Sequence, residues 1–131
     1  MKKVILIILF SGILFSCSEK DESTNTDLIG KWKLTEILAD PGDGSGTFHS
    51  VSSNVILEFH SDYTVTSNKP VCTMSIETGE PGSGTYSLAD STISSGDCGT
   101  TYSKLKFEIS GSVLILYYPC IEPCATKYVK Q

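Results

Sequence analysis

The sequence contains no arginine, only two histidines and a single tryptophan among its 131 residues. Arginine supplies the rigid pair of donors that grips phosphates and base edges, so its absence argues against nucleic-acid recognition. The net charge of -5 points the same way, because an acidic chain repels the nucleic-acid backbone. We therefore expect no nucleic-acid partner.

Motifs of catalytic sites are also missing. The chain has no Gly-x-Ser-x-Gly elbow and no His-Glu-x-x-His pair. His49 lies in a Gly/Ser-rich segment, and His60 ends a predicted strand on its outward face. The glycine-rich residues 42–46 lack the lysine and the helix of a phosphate loop, and Asp40 and Asp43 beside them are weak calcium candidates because lone loop acids are usually solvated. We expect a protein that is not an enzyme and has no cofactor or metal.

The one long apolar run covers residues 4–15 and follows the basic start Met1-Lys2-Lys3. It is shorter than the roughly 20 residues of a membrane-spanning helix, and such runs are typical of cleaved signals. Leu14-Phe15-Ser16-Cys17 then resembles the bacterial lipoprotein signal. The resemblance implies cleavage after residue 16 and attachment of diacylglycerol and a further acyl chain, such as palmitate, to Cys17. An ordinary secretory signal with a chance cysteine is the alternative.

Residues 17–27 are predicted to form a lipidated, flexible tether, because residues 18–27 are polar or charged except for short threonine methyls. The stretch Ser-Glu-Lys-Asp-Glu at residues 18–22 resembles the acidic export tag of Bacteroidota-type lipoproteins. A solvated spacer that carries no signal is an equally good interpretation. The anchor predicts a cell-envelope protein attached to the outer membrane, in either the periplasmic or the surface-exposed leaflet. The sequence leaves the oligomeric state open.

Residues 28–131 have the pattern of one all-β domain. Short runs rich in β-branched and aromatic residues alternate with Gly, Ser, Asn and Asp clusters, and no stretch has a helical period. Leu105, Phe107 and Ile109 alternate with charged residues, and Ser110-Gly111-Ser112 predicts a tight hairpin into an apolar run at residues 113–118. About eight strands result, the number of a small up-and-down antiparallel β-barrel.

Residues 28–34, Leu-Ile-Gly-Lys-Trp-Lys-Leu, resemble the opening strand of lipocalins and bacterial lipocalin-like lipoproteins. The family's G-x-W motif falls on Gly30 and Trp32, and later strands share the pattern through residue 130. The resemblance implies that Trp32 plugs the closed end of the barrel, where the family places an arginine over the ring. Without arginine, Lys127 or Lys130 is expected to take that place.

The connections are predicted to alternate between the two ends of the barrel. Three are tight, and the four long ones, at residues 40–53, 67–83, 95–102 and 119–124, share the other end, where such barrels have their mouths. We place candidate ligand-binding residues there: Glu36, Phe48 and Tyr102. Strict alternation puts the Glu36 carboxylate inside the barrel, where it is costly unless paired; the favoured alternative is a bulge that turns it to solvent.

With Cys17 lipidated, an even four cysteines remain, which in an exported protein predicts two disulfides with three possible pairings. We favour the pairs Cys72–Cys98 and Cys120–Cys124. In the chain-entropy model the first, which joins two long loops, stabilises the folded state by about 3.6 kcal/mol, and the second stabilises it by about 2 kcal/mol. A zinc site of four thiols is the less favoured alternative.

The sequence thus predicts a lipid-anchored, lipocalin-like barrel that binds a small apolar or amphipathic ligand at its loop-rich end. The alternative is a structural or protein-interaction module whose barrel is filled with side chains.

Overall fold

The computed structural model describes residues 27–100 and 104–131. Nine strands lie within these ranges: β1 Gly30–Ala39, β2 His49–Ser50, β3 Ile56–Phe59, β4 Thr64–Ser67, β5 Gly82–Ser87, β6 Thr92–Ser95, β7 Leu105–Ser110, β8 Val113–Tyr117 and β9 Cys124–Lys130. A single 3-10 turn, Gly96–Cys98, follows β6. No helix in these two ranges is long and apolar enough to cross a membrane.

Eight of these strands form one closed antiparallel barrel. Each pairs with the next along the chain from β3 to β9, and β1 pairs with both β3 and β9 to close the ring. The predicted fold class is therefore confirmed. The ninth strand, β2, was not predicted; its two residues pair with Glu36 and Ile37, on the part of β1 beyond β3.

Alternation places the apolar residues inside. In β7, Leu105 and Phe107 are 1% and 3% exposed, whereas Lys106 and Glu108 are exposed. The largest inward side chains are aromatic, and Phe59 contacts Tyr86 edge to face with ring centroids 5.2 Å apart. Burial of this many large side chains is the main stabilising contribution in a domain of this size.

A β-bulge interrupts the alternation in β1. The register with β9 shifts between Leu34 and Glu36, so Glu36 pairs with Lys127 and Ile37 with Thr126. Because Thr126 is fully buried and Lys127 is not, Glu36 lies on the outer face and Ile37 takes the inner one. Strict alternation from Trp32 and Leu34 predicts that Leu38 also faces inward; the bulge overturns this prediction, since Leu38 pairs with Ala125 on the outer face.

The two ends of the barrel differ as the alternating connections require. The tight turns lie at one end. Here the Tyr86 hydroxyl donates to the His60 carbonyl at 2.7 Å, and the Lys130 amide donates to the Ser112 carbonyl at 2.9 Å. At the other end the long connections contact each other: the Ser53 hydroxyl donates to the Ile76 carbonyl at 2.7 Å. Long loops thus brace one another at a single end.

Candidate binding site at the loop-rich end

Trp32 closes the tight-turn end of the barrel. The side chain is 0% exposed, and its indole Nε1 donates to the carbonyl of Leu28 at 2.8 Å. Lys130 Nζ lies 5.5 Å from the centre of the indole ring. Of the two lysines considered from the sequence, it is Lys130 that covers Trp32. Gly30, two residues earlier, has a φ of 124°, which a residue with a side chain rarely adopts.

Glu36 and Phe48, two of the predicted ligand-binding residues, meet on the outside of the barrel. The Lys127 ammonium lies 2.6 Å from the Glu36 carboxylate and 4.2 Å from the centre of the Phe48 ring. The carboxylate therefore has a cation as its partner and does not point into the interior, as the favoured bulge alternative required. Tyr102, the third predicted residue, and Cys17 lie outside the described residues.

Two disulfides link the four described cysteines, Cys72 to Cys98 and Cys120 to Cys124, in the pairing favoured from the sequence. The first joins two long connections, and the second closes the turn that leads into β9. Sulfur atoms joined in this way have no thiolate to offer, which argues against the four-thiol zinc site.

Asp40 organises its own loop. Its two carboxylate oxygens accept hydrogen bonds from the amides of Gly42, Gly44 and Gly46 at 2.7–3.1 Å. These hydrogen bonds lower the pKa of the Asp40 carboxyl, and the one from the Gly46 amide has the largest effect. Because the oxygens already accept from amides, Asp40 serves to shape this loop, and the calcium alternative gains no support from it.

Residues 68–81, which we call the capping loop, cover the barrel at this end. Val71 is 1% exposed, and Cys72, Met74 and Ile76 pack against the core. Asn68 holds the start of the loop: its side-chain oxygen accepts from the Ile56 amide at 2.8 Å and its nitrogen donates to the Asn54 carbonyl at 2.8 Å. The loop therefore inserts apolar side chains where an open barrel would have its mouth.

Lys69, within the capping loop, is 2% exposed and ranks among the largest fully buried side chains. Its ammonium donates to the carbonyls of Pro70, at 3.0 Å, and Thr73, and lies 5.8 Å from the centre of the Tyr118 ring. Burial lowers the pKa of Lys69 from 10.5 to about 8, and the negative charge of Asp97 opposes that shift. This lysine is thus charged at neutral pH despite its burial.

Tyr118, the tyrosine next to this lysine, belongs to a cluster of three buried hydroxyls. Thr126 Oγ1 donates to the Tyr118 hydroxyl at 3.4 Å, and the Tyr128 hydroxyl belongs to the same cluster. The Tyr128 oxygen is buried, and among the described residues it has no hydrogen bond of acceptable geometry. Burial raises the pKa of both tyrosines, so both hydroxyls remain protonated donors at neutral pH.

Sequence reasoning missed this polar cluster. A signal for part of it was present, because alternation in the last strand places Thr126 and Tyr128 on one face. For Lys69 no pattern existed, because a lysine in a connection is ordinarily solvated. Only the path of the capping loop over the barrel places it inside.

A concave region lies on the outer face of β7 and β8. It is a cleft of about 630 Å³, and its lining includes Lys104, Lys106 and Tyr117. The Tyr117 hydroxyl donates to the Glu108 carboxylate at 3.0 Å. The apolar run at residues 113–118 buries one face in the core. On its other face Ile115 is half-buried, and Tyr117, which is 37% exposed, lines this cleft.

Comparison with known proteins agrees with the barrel. A family model described as a lipocalin-like domain matches residues 28–116, more than half of the chain. No curated protein was found to match the chain. No solved structure was found to match it either.

Proposed function

The chain belongs to the lipocalin-like domain family, and from this we propose that it is a lipid-anchored binding protein of the bacterial cell envelope, without enzymatic activity. Its ligand is a small amphipathic molecule bound at the loop-rich end. The anchor is supported by the residues around Cys17, which resemble a lipoprotein signal. Several acyl chains together hold a protein firmly on a membrane.

The observation that carries the proposal is the buried polar cluster under the capping loop. The Lys69 ammonium lies 5.8 Å from the centre of the Tyr118 ring, and the Tyr118 hydroxyl is linked to those of Thr126 and Tyr128, in an interior made mainly of apolar side chains. Ligand sites have this composition, with apolar walls and a few convergent polar groups that orient the ligand. A barrel selected only for stability has no need of a buried lysine, because burying a cation is costly.

The position of the tether supports the same function. The carbonyl of Asp27 accepts from Lys130 Nζ at 2.5 Å, so the chain enters the barrel at the tight-turn end. A lipid on Cys17, ten residues before Asp27 in the sequence, would hold that end toward the membrane. The loop-rich end would then face away from the bilayer, where a ligand has access.

Ligand binding is testable on the chain that lipoprotein processing would leave, residues 17–131, carrying Cys17→Ser so that no acyl chain competes. Native mass spectrometry of this protein, purified from the periplasm, is expected to detect a co-purified small molecule. Thermal unfolding should shift upward when decanoic acid or decanol is added, because a ligand that binds only the folded state stabilises it. No bound mass and no shift with either amphiphile would refute the ligand-binding function.

The filled barrel favours a second function, protein interaction. Nearly all of its large inward side chains, Trp32 and Phe59 among them, are almost fully buried, and the cleft of about 630 Å³ lies outside. A photo-crosslinking residue at Tyr117 in intact cells would then trap one defined partner, whereas the same residue at Lys31, exposed on the outer face of β1, would not. Equal labelling at both positions would count against this surface.

A further inference from the structure

We propose that this protein pairs with a second copy of itself through a surface that joins the cleft on β7 and β8 to the turn at residues 119–124. The inference rests on the second proposed function, protein interaction, and specifies the partner. The surface combines a projecting apolar side chain, a concave site that can receive such a side chain, and two charged groups of opposite sign. These three features lie next to one another.

The projecting side chain is that of Ile121. It is 100% exposed, and Tyr63 and Tyr117 are the other large hydrophobic residues that are exposed in the described part of the chain. An isoleucine in this position forgoes the stabilisation that burial of its side chain would give. A single exposed apolar residue is common on protein surfaces, so the surroundings of Ile121 decide its meaning.

The Cys120–Cys124 disulfide holds Ile121 in its projecting position. This link closes a turn with a sequence separation of 4. At the base of the turn, the Cys120 amide donates to the Tyr118 carbonyl at 2.9 Å. Because the turn is constrained before any partner binds, little conformational entropy is lost when Ile121 is buried in an interface.

The cleft of about 630 Å³ adjoins this turn, because Pro119 lines the cleft and begins the turn. Tyr117 also lines the cleft, and its ring is held in place by the hydrogen bond from its hydroxyl to Glu108. Sites for whole small molecules begin at about 300 Å³, so the cleft has room for an isoleucine side chain. Ile121 does not fill the cleft of its own chain, since it is fully exposed.

A projecting residue and a cleft that lie side by side on one surface are self-complementary. When two copies face each other across a two-fold axis near Pro119, Ile121 of each copy can enter the cleft of the other, and the two contacts close the pair. The surface lies on the side of the barrel. Pairing therefore leaves the tight-turn end, where Lys130 contacts Asp27, uncovered in both copies.

The charges agree with this arrangement. Two lysines line the cleft: Lys104 is paired with Asp90 at 3.3 Å, whereas Lys106 belongs to no ion pair of residues 27–100 and 104–131. Glu122, the residue after Ile121, belongs to no ion pair of these residues either. Across the two-fold axis, Glu122 enters with Ile121 and meets Lys106 of the other copy, so the ion pair forms twice.

Sedimentation velocity on residues 17–131 with Cys17→Ser tests the pairing, because the measurement depends on mass and needs no ligand. We expect a monomer–dimer equilibrium between about 10 µM and 1 mM, as for a small transient interface. Ile121→Ser should weaken the dimer by about tenfold or more, with unchanged thermal unfolding of the monomer. Tyr63→Ser, which removes an exposed apolar residue at the tight-turn end, is the control and should leave the dissociation constant unchanged.

Charge reversal tests the contact between Lys106 and Glu122. Lys106→Glu and Glu122→Lys should each weaken the dimer by about tenfold, because each places like charges opposite one another. The variant with both substitutions should return to within about threefold of the parent dissociation constant, since opposite charges again meet. Lys31→Glu, at an exposed position on β1, is the matched control and should have no effect.

A monomer at every concentration up to about 1 mM would overturn pairing with a second copy. A dimer that Ile121→Ser leaves unchanged would overturn this surface, and loss in both charge variants without recovery in the double variant would overturn the ion pair.

The photo-crosslinking residue at Tyr117 separates these failures from failure of protein interaction itself. In intact cells, a product with twice the mass of the protein supports the second copy. A product of any other mass overturns the second copy and leaves protein interaction standing. With no product at Tyr117, both proposals fail.

Discussion

At the scale of single residues, two buried side chains explain most about this molecule, and they differ in how visible they are in the sequence. Trp32 is part of a motif and lies in a strand, where its burial follows from alternation. Lys69 lies in a connection and is buried because the capping loop folds inward over the barrel. The tryptophan contributes to stability, whereas the buried lysine opposes it, because a cation is costly to remove from water.

Replacement of Trp32 by alanine should lower the free energy of unfolding by about 3–5 kcal/mol, because it removes the largest buried side chain of the closed end. Chemical denaturation measures the loss, and Trp32→Phe should cost less. In the native parent protein the emission of this single tryptophan should be blue-shifted and resistant to iodide quenching. Red-shifted, freely quenched emission would contradict the plug.

The stability of the protein should rise with pH between about 8 and 10. The pKa of Lys69 is about 8 in the folded protein and 10.5 in the unfolded chain. In this window Lys69 is therefore deprotonated in the folded protein and still protonated in the unfolded chain, so raising the pH favours folding. Above pH 10 the stability should fall. Folding raises the pKa values of Tyr118 and Tyr128, so these tyrosines lose their protons in the unfolded chain at a lower pH than in the folded protein. Urea unfolding measures both slopes, and Lys69→Met should abolish the rise while Lys106→Met retains it.

At the scale of elements, the barrel depends on local departures from regular strands. The bulge in β1 turns Glu36 outward to Lys127 and lets Ile37 face the core. Glycine at position 84 allows a close approach in the β5–β6 pair, since a Cβ there would collide with the Ser94 carbonyl oxygen. Both features help the sheet curve into a closed ring.

Gly84→Ala should therefore destabilise the protein by about 1–3 kcal/mol, the usual cost of overpacking. Gly96→Ala is the matched control, because nothing lies within 4 Å of a Cβ at that position, and its effect should stay within about 0.5 kcal/mol. Thermal and urea unfolding of the two variants measure the difference. Equal stability of both would show that β5 and β6 are not packed this closely.

At the scale of the whole molecule, the barrel has two ends with different tasks. The tight-turn end is sealed by Trp32 and carries the contact between Lys130 and Asp27, and the loop-rich end carries both disulfides and the buried Lys69. The proposed anchor and the loop-rich end therefore lie at opposite ends of the barrel. This arrangement predicts which parts respond to reduction of the disulfides and to loss of the anchor.

Reduction of the disulfides should loosen the capping loop and residues 119–123, while β1, β7 and β8 stay protected from hydrogen exchange. The expectation follows from the position of the links, because Cys72, Cys98 and Cys120 lie in connections and Cys124 is only the first residue of β9, opposite the last residue of β1. Exchange measured by mass spectrometry with and without reductant provides the test. Loss of protection throughout the strands would mean that the disulfides stabilise the body of the barrel.

Replacement of Cys17 by alanine should yield a protein without acyl chains that no longer sediments with membranes, because the sulfur is the proposed site of lipid attachment. Intact-mass spectrometry of the parent protein should show the mass of the acyl groups on residues 17–131. An unmodified Cys17 in the parent protein would eliminate the anchor. Cys72→Ala is a control that leaves the attachment site intact.

The eight barrel strands and their order follow from the sequence, because alternation of apolar residues and turn-forming clusters are local properties of the chain; the two-residue strand β2 does not. The sequence also pointed to the loop-rich end, since tight and long connections alternate in an up-and-down barrel. Glu36 could not be placed from the sequence alone, because a bulge depends on the register between β1 and β9, which are distant in the chain. Nor could the burial of Lys69 be foreseen, since it results from a connection folding over the barrel, and that path is decided only when the tertiary contacts form.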